Sequence, residues 1–169
     1  MGDRLILGID PGMARTGYGL VRQSGDGSLV LVDYGTVTTR AGEELGPRLV
    51  SLEEGILHAI ESRRPDTAGI EKLFFERNVT TAMSVGQARG VAVLTLTRLG
   101  IPIEEYAPAE IKDAVAGYGA ADKRQMQTMV RMLLAMETTP QPDDAADALA
   151  IAICHAQASR ARARLAAAK

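Results

Sequence analysis

The chain has 169 residues, 46% of them hydrophobic, and carries 19 Lys+Arg against 21 Asp+Glu for a formal charge of −2. A chain of this length buries about 70% of its unfolded surface as one compact domain, and its near-neutral balance lacks the basic excess that by itself marks a nucleic-acid binder. The single cysteine, Cys154, excludes an intrachain disulfide and a Cys-rich zinc cluster; with no stretch of roughly 18 apolar residues and no signal-peptide pattern after Met1, a cytoplasmic protein is expected.

Residues 5–10 form a nearly continuous apolar run closed by Asp10 and then Pro11-Gly12, the pattern of a buried central strand ending in a tight turn. Segments 17–22 and 29–37 are rich in apolar and β-branched residues and flank Ser24-Gly25-Asp26-Gly27, so three consecutive antiparallel strands are expected. From Gly46 the period changes: Leu49, Leu52, Ile56 and Ile60 recur at helical spacing, with Glu53, Glu54 and Glu61 placed to face water. This crossover helix stops near Arg64-Pro65, and 67–71 is a second short apolar run closing on an acid, Glu71. A right-handed crossover places it parallel to the first strand.

Residues 80–99 lack proline and turn apolar on every side toward their end, which predicts a largely buried helix. Gly86 and Gly90 within it cost about 1 kcal/mol each relative to Ala and point to close backbone contact, either inside the chain or at a subunit interface. Residues 101–106 read as a further strand and 108–115 as a short helix; after Gly117-Tyr118-Gly119, helical spacing resumes over 123–136. A last helix begins at Asp143, beyond Pro140 and Pro142, and runs to about Arg164, with a basic tail over 160–169 expected to fray. The order describes a single domain over 1–169, an α/β fold with a mixed five-stranded sheet covered by helices on both faces.

Asp10 and Glu71 each end an apolar strand, so in neighbouring strands their side chains converge on one edge, where two carboxylates repel unless a cation neutralises them. Asp144 and Asp147 are at i and i+3 on a helix whose neighbours are Ala145, Ala146, Ala148, Leu149 and Ile151, hence on one face of a buried element. No Lys or Arg lies between Asp143 and Ser159, so the helix itself supplies no base, and a metal is the simplest counter-charge. Mg²⁺ takes oxygen ligands and keeps several waters, and two such ions about 3.5–4 Å apart hold both oxygens of an in-line phosphoryl displacement. Each acid also has an ordinary reading: Asp10 starting a turn, Glu71 pairing with Lys72 or Arg77, and Asp143, Asp144 or Asp147 interacting with a helix dipole. For Asp143 the dipole role is preferred. His58 and His155 read as surface or partly packed helix residues and Cys154 as a small core residue.

Four segments together, Leu7-Gly8-Ile9-Asp10-Pro11-Gly12 with Thr16-Gly17-Tyr18-Gly19, Ile70-Glu71, Gly86-Gln87-Ala88-Arg89-Gly90, and Asp144-Ala145-Ala146-Asp147-Ala148-Leu149-Ala150, give a chain that resembles the RuvC-type Holliday-junction resolvases of the ribonuclease-H-like fold. The resemblance runs from Ile6 to about His155. It implies that Asp10, Glu71, Asp144 and Asp147 are catalytic ligands of two Mg²⁺ ions, or of Mn²⁺. It further implies a homodimer that binds a four-way DNA junction and nicks two strands of like polarity symmetrically. Ends with 5′-phosphate and 3′-hydroxyl result, in recombination and DNA repair, and a branch-migration helicase complex is an expected partner.

Phe74-Phe75, the only phenylalanines in the chain, follow Glu71 closely enough to stack on unpaired bases. The resemblance points to Phe74 for that role, and core packing is preferred for Phe75. It also makes Lys112 and Lys123 basic residues that support cleavage, while Arg77, Arg89 and Arg124 are candidates to track the DNA backbone. Sugar-kinase-type ATPases share the strand-acid-glycine start but need a duplicated domain that 169 residues cannot hold. A ribonuclease-H-like enzyme acting on RNA or single-stranded ends, and a junction-binding module without cleavage, are the remaining alternatives.

Overall fold

Residues 2–73 and 79–167 are described by the structure, a computed structural model. In chain order the elements are β1 (Arg4–Asp10), β2 (Arg15–Gln23), β3 (Leu29–Thr38), α1 (Leu45–Glu61), β4 (Thr67–Glu71), α2 (Val79–Arg98), β5 (Ile103–Tyr106), α3 (Pro108–Ala116), α4 (Lys123–Leu133) and α5 (Asp143–Ala167). They form a five-stranded sheet ordered β3-β2-β1-β4-β5. The first three strands pair antiparallel, and β4 and β5 continue the sheet parallel to β1. This is the mixed sheet that the order of strand and helix patterns predicts.

The continuous apolar runs of β1 and β4 hide a period of two, because both faces of a central strand are buried. Leu5, Leu7 and Ile9 of β1 and Ala68 and Ile70 of β4 join a core with Leu52, Ile56, Ala92 and Leu96 of α1 and α2. Ile6 faces the other way, into a core built by α3, α4 and α5. Gly8 and Asp10 share its face, as Thr67, Gly69 and Glu71 do on β4. The parallel register sets Ile9 beside Ile70, so Asp10 and Glu71 end adjacent strands on the face that α5 covers.

That helix lies unusually close to the sheet. A Cβ added to Gly8 would sit 2.0 Å from the Ala148 carbonyl oxygen and 2.6 Å from the Ala152 nitrogen. One on Gly17 would sit 1.9 Å from the Asp144 carbonyl oxygen. Glycine on the strands and alanine on the helix therefore let the two backbones meet, with Ala145, Ala148 and Ala152 fully buried between them.

The helices α3 and α4 start on conventional signals. Pro108 opens α3, where its missing N–H costs nothing, and the Glu110 carboxylate accepts the Ala107 N–H at 2.6 Å. Asp122 caps α4 by accepting the Gln125 N–H at 2.8 Å, while the Gln125 side chain accepts the Asp122 N–H at 2.9 Å.

Two expectations need correction. The helix α2 is not largely buried: Ala88, Ala92, Thr95 and Leu96 face the core, but Met83 and Leu94 are 62% and 49% exposed. Its small residues make the sequence apolar all round without giving it two covered faces. His155 is neither at a surface nor only partly packed; it is 1% exposed in the middle of α5. Its ring nitrogens are satisfied by the Thr67 hydroxyl at 2.8 Å and the Tyr106 hydroxyl at 2.7 Å, and burial pushes its pKa down to about 4. Beyond His155, α5 continues as far as Ala167, and Arg162 reaches back to Glu104.

The close contact predicts opposite outcomes at two glycines. Gly8→Ala forces two backbones apart and should lower the unfolding free energy by about 3 kcal/mol, at the upper end of the usual overpacking range. Gly46→Ala, where nothing lies within 4 Å of the added carbon, should be neutral or stabilising by up to ~1 kcal/mol. Denaturant midpoints measure both, and a Gly8→Ala midpoint equal to the parent's would contradict the contact.

Candidate active site

At the C-terminal ends of β1 and β4, under the first turns of α5, lies a cavity of about 240 Å³ lined by Asp10, Glu71, Asp147, Lys112 and Lys123, with Ile111, Met126 and Ile151 among its apolar walls. Each polar group arrives from a different element. Asp10 and Glu71 are the last residues of adjacent strands, Asp147 sits one turn into α5, Lys112 comes from α3, and Lys123 opens α4.

Burial and mutual repulsion make these carboxylates hard to ionise. The Asp10 carboxyl is pushed up to about 7, first by burial and then by the charges of Asp147, Glu71 and Asp144, with Lys123 opposing. Glu71 is raised by burial and by Asp147, against the pull of Lys112. Asp147 is raised by burial, with Asp143 and Asp144 adding to the effect and Lys123 countering it. Among the described residues neither Asp10 nor Glu71 has a hydrogen bond or ion pair, so repulsion is relieved only at a distance.

The structure brings Asp10, Glu71, Asp147, Lys112 and Lys123 to one cavity, and sets Asp144 beside them on a different partner. The Asp144 carboxylate pairs with the Arg15 guanidinium at 3.1 Å, at the start of β2. Lys123 lies 2.8 Å from Asp143 and 3.9 Å from Asp147, and its hydrogen bond to Asp143 raises the lysine pKa and lowers that of the acid. Asp143 also accepts a hydrogen bond from Gln127 at 2.8 Å. The argument that α5 leaves its acids without a base therefore holds for α5 alone: β2 and α4 supply the bases. Arg15 is the residue that sequence reasoning missed, and no local pattern around it signals a partner 129 positions away.

Other candidates lie elsewhere. Arg89 on α2 pairs with Glu105 of β5 at 2.5 Å, with its side chain 20% exposed, and Arg124 lines a separate groove on the far side of α4. Phe74, Phe75 and Arg77 lie outside the described residues. His58 is exposed beside Glu61, and Cys154 is a buried core residue whose thiol burial pushes up to about 12.

The donor set at this rim is all carboxylate, which matches a hard divalent cation that takes oxygen ligands and keeps its waters. Among the described residues no group of three or more Asp, Glu, His or Cys side chains stands close enough to hold a metal ion as placed. Asp144 is turned to Arg15 and Asp147 toward Lys123. The residues fit a cation in chemical type and in their shared rim, and a cation there would relieve the burial and repulsion that push the Asp10 carboxyl up to about 7.

The family model described as crossover junction endodeoxyribonuclease RuvC matches residues 6–155. The chain is 60% identical over 150 residues to the crossover junction endodeoxyribonuclease RuvC of Chloroflexus aggregans, spanning 89% of this chain and 91% of that one. It is 52% identical over 157 residues to the protein so named in Rubrobacter xylanophilus, spanning 93% and 87%. Among solved structures, that of Thermus thermophilus RuvC in complex with Holliday junction substrate superposes with a TM-score of 0.87 at 34% identity, over 93% of this chain and 95% of that one. The yeast mitochondrial Holliday junction resolvase, at 13% identity and a TM-score of 0.62 over 90% and 78% of the two chains, shares the fold, which is ribonuclease-H-like.

The raised pKa of Asp10 sets the sign of a pH effect. Its folded pKa of about 7 lies above the ordinary 3.8, so its stabilising contribution is complete below about pH 4 and is lost as pH rises through 7. Metal-free Asp10→Asn protein, which never acquires that charge, should therefore exceed the parent in stability at pH 8 by ~2–4 kcal/mol. The advantage should vanish toward pH 4. Chemical denaturation in chelator across this range measures it, and parallel pH profiles for the two proteins would show that Asp10 is not strained.

Proposed function

The chain belongs to the RuvC family of crossover junction endodeoxyribonucleases, and from that premise we propose that it resolves four-way DNA junctions by hydrolysing phosphodiesters at the rim formed by Asp10, Glu71, Asp144 and Asp147. Nucleases of this family depend on a divalent metal. In this chain the four carboxylates are the ligands, with Asp10 central between Glu71 on the neighbouring strand and the two acids of α5, and Mg²⁺ as a pair of ions is the cofactor, Mn²⁺ the substitute. Such ions supply positive charge to the reacting phosphate and lower the pKa of a water.

The observation that carries the reading is the joint lining of one cavity by three carboxylates and two lysines from five separate elements. Lys112 and Lys123 stand on its other wall, where they hold the scissile phosphate against acids that would otherwise repel it. Lys123 is tethered to Asp143 at 2.8 Å, which keeps its ammonium at the mouth of the cavity. Asp144 must leave Arg15, and Asp147 must leave Lys123, for the ligand set to close. Arg15 is then free for phosphate oxygens, while Lys123 presents its remaining N–H groups to them from its tether on Asp143.

Junction resolution needs two coordinated cuts, and the reading includes a homodimer that nicks two strands of like polarity, leaving 5′-phosphate and 3′-hydroxyl ends. The apolar side chains left exposed on α2, Met83 and Leu94, support a second copy at that surface. Phe74 is the proposed base-stacking residue, with Arg77, Arg89 and Arg124 on the DNA backbone. A branch-migration helicase complex is the proposed partner, a single nuclease domain over 1–169 the proposed unit, and the cytoplasm the proposed location.

The test is cleavage of a synthetic mobile four-way junction with Mg²⁺, beside linear duplex and an RNA–DNA hybrid. The parent should nick the junction in two strands of like polarity and spare the other substrates, while Asp10→Asn binds the junction and leaves it intact, with cleavage down by at least ~10³-fold. Full activity of Asp10→Asn would overturn the site assignment. Binding without any metal-dependent nicking by the parent would favour a junction-recognition module.

A further inference from the structure

The helix α4 has two lined sides, and the cavity described above uses only one. Lys123 and Met126 face the carboxylates. Arg124, Gln125 and Thr128 line a second groove of about 380 Å³, which Tyr118 in the α3–α4 loop also lines.

Tyr118 is 63% exposed, the most exposed aromatic side chain among the described residues. Its loop is nevertheless fixed at both ends. Gly117 ends α3 in the left-handed region at φ +70, its N–H donating to the Asp113 carbonyl at 2.8 Å. The Ala121 N–H donates to the Tyr118 carbonyl at 3.1 Å, Ala121 itself is 1% exposed, and Asp122 caps α4. A rigid turn that presents an aromatic ring to water loses little conformational freedom when something stacks on it.

Charge points to the kind of occupant. Arg124 has no acidic partner among the described residues. The Asp122 carboxylate also lines the groove but is spent on the Gln125 N–H at 2.8 Å, which disfavours a phosphate there and leaves the phosphate to Arg124. The groove and the carboxylate cavity lie on opposite sides of α4, so a strand that reaches both passes around the helix. A helix is about 10–12 Å across with its side chains, so the two sites stand at least that far apart.

We propose that this groove is a nucleotide subsite for DNA extending from the cleavage site, in which a base stacks on Tyr118 while Arg124 takes a flanking phosphate. The inference rests on the nuclease reading above. It makes Tyr118 a residue that seats bound DNA against α4.

The test uses full-length protein carrying Asp10→Asn, so that the junction stays uncut, and synthetic junctions with 2-aminopurine placed one position at a time around the nick site. Adding Tyr118→Ala should weaken junction binding about five- to hundredfold, the range for loss of one stacked base. Tyr118→Phe, which keeps the ring, should stay within about twofold of the parent. Arg124→Ala should lower the salt slope of binding by about one. A 2-aminopurine signal confined to one position in the parent should persist with Tyr118→Phe and vanish with Tyr118→Ala. Parent-like affinity and fluorescence for Tyr118→Ala would overturn the subsite, as would equal losses for Ala and Phe. Failure of the nuclease reading looks different: protein with Asp10 intact would not nick the junction at all, whatever stands at 118.

Discussion

The backbone of α5 touches the sheet at Gly8 and Gly17 with no room for a Cβ, and the candidate site follows from that contact. A helix normally stands about 10 Å from a neighbouring layer because side chains hold it off. Here glycine meets alanine, and the first turns of α5 drop to the level of the strand ends. That drop carries Asp147 into the same cavity as Asp10 and Glu71. A bulkier residue at Gly8 or Gly17 would lift the helix and separate the acids, although neither glycine has a chemical role.

The second constraint is electrostatic. A rim with this many carboxylates is unfavourable on its own, and the fold manages it by bringing bases from outside the acidic elements. Arg15 answers Asp144, and Lys123 answers Asp143 and Asp147, while Asp10, the most buried of the acids in the centre, is left without such a partner and is pushed up to about 7. Exposed ion pairs of this kind are worth little, about 0–1 kcal/mol each. They are therefore easily exchanged for a cation or a phosphate. The same side chains that steady the acids in the free protein become available to substrate when the acids change partners.

Much of this was legible from residues alone. The strands ending in Asp10 and Glu71 stand out because each apolar run stops on an acid, and the i, i+3 spacing of Asp144 and Asp147 on an alanine-rich helix fixes their common face. What remained hidden depended on contacts distant in sequence. The continuous apolar run of β1 conceals that Leu5, Leu7 and Ile9 face one core and Ile6 the other, so the direction of Asp10 emerges only with α5 in place. His155 looks like a surface or partly packed residue until Thr67 and Tyr106 are seen to satisfy both ring nitrogens. The exposure of α2 was concealed by small residues, which read as apolar whether or not anything covers them. Arg15 carried no signal, because its partner is defined by how β2 meets α5.

The central claim is that the four carboxylates, separated in sequence and held partly by bases in the free protein, close around divalent cations. Crystals grown with Mn²⁺ and measured for anomalous scattering test it most directly. The account predicts anomalous peaks about 2.0–2.6 Å from oxygens of Asp10, Glu71, Asp144 and Asp147, with Asp144 released from Arg15. Saturating Mn²⁺ that leaves the Arg15–Asp144 pair intact and puts no peak at the strand ends would contradict it.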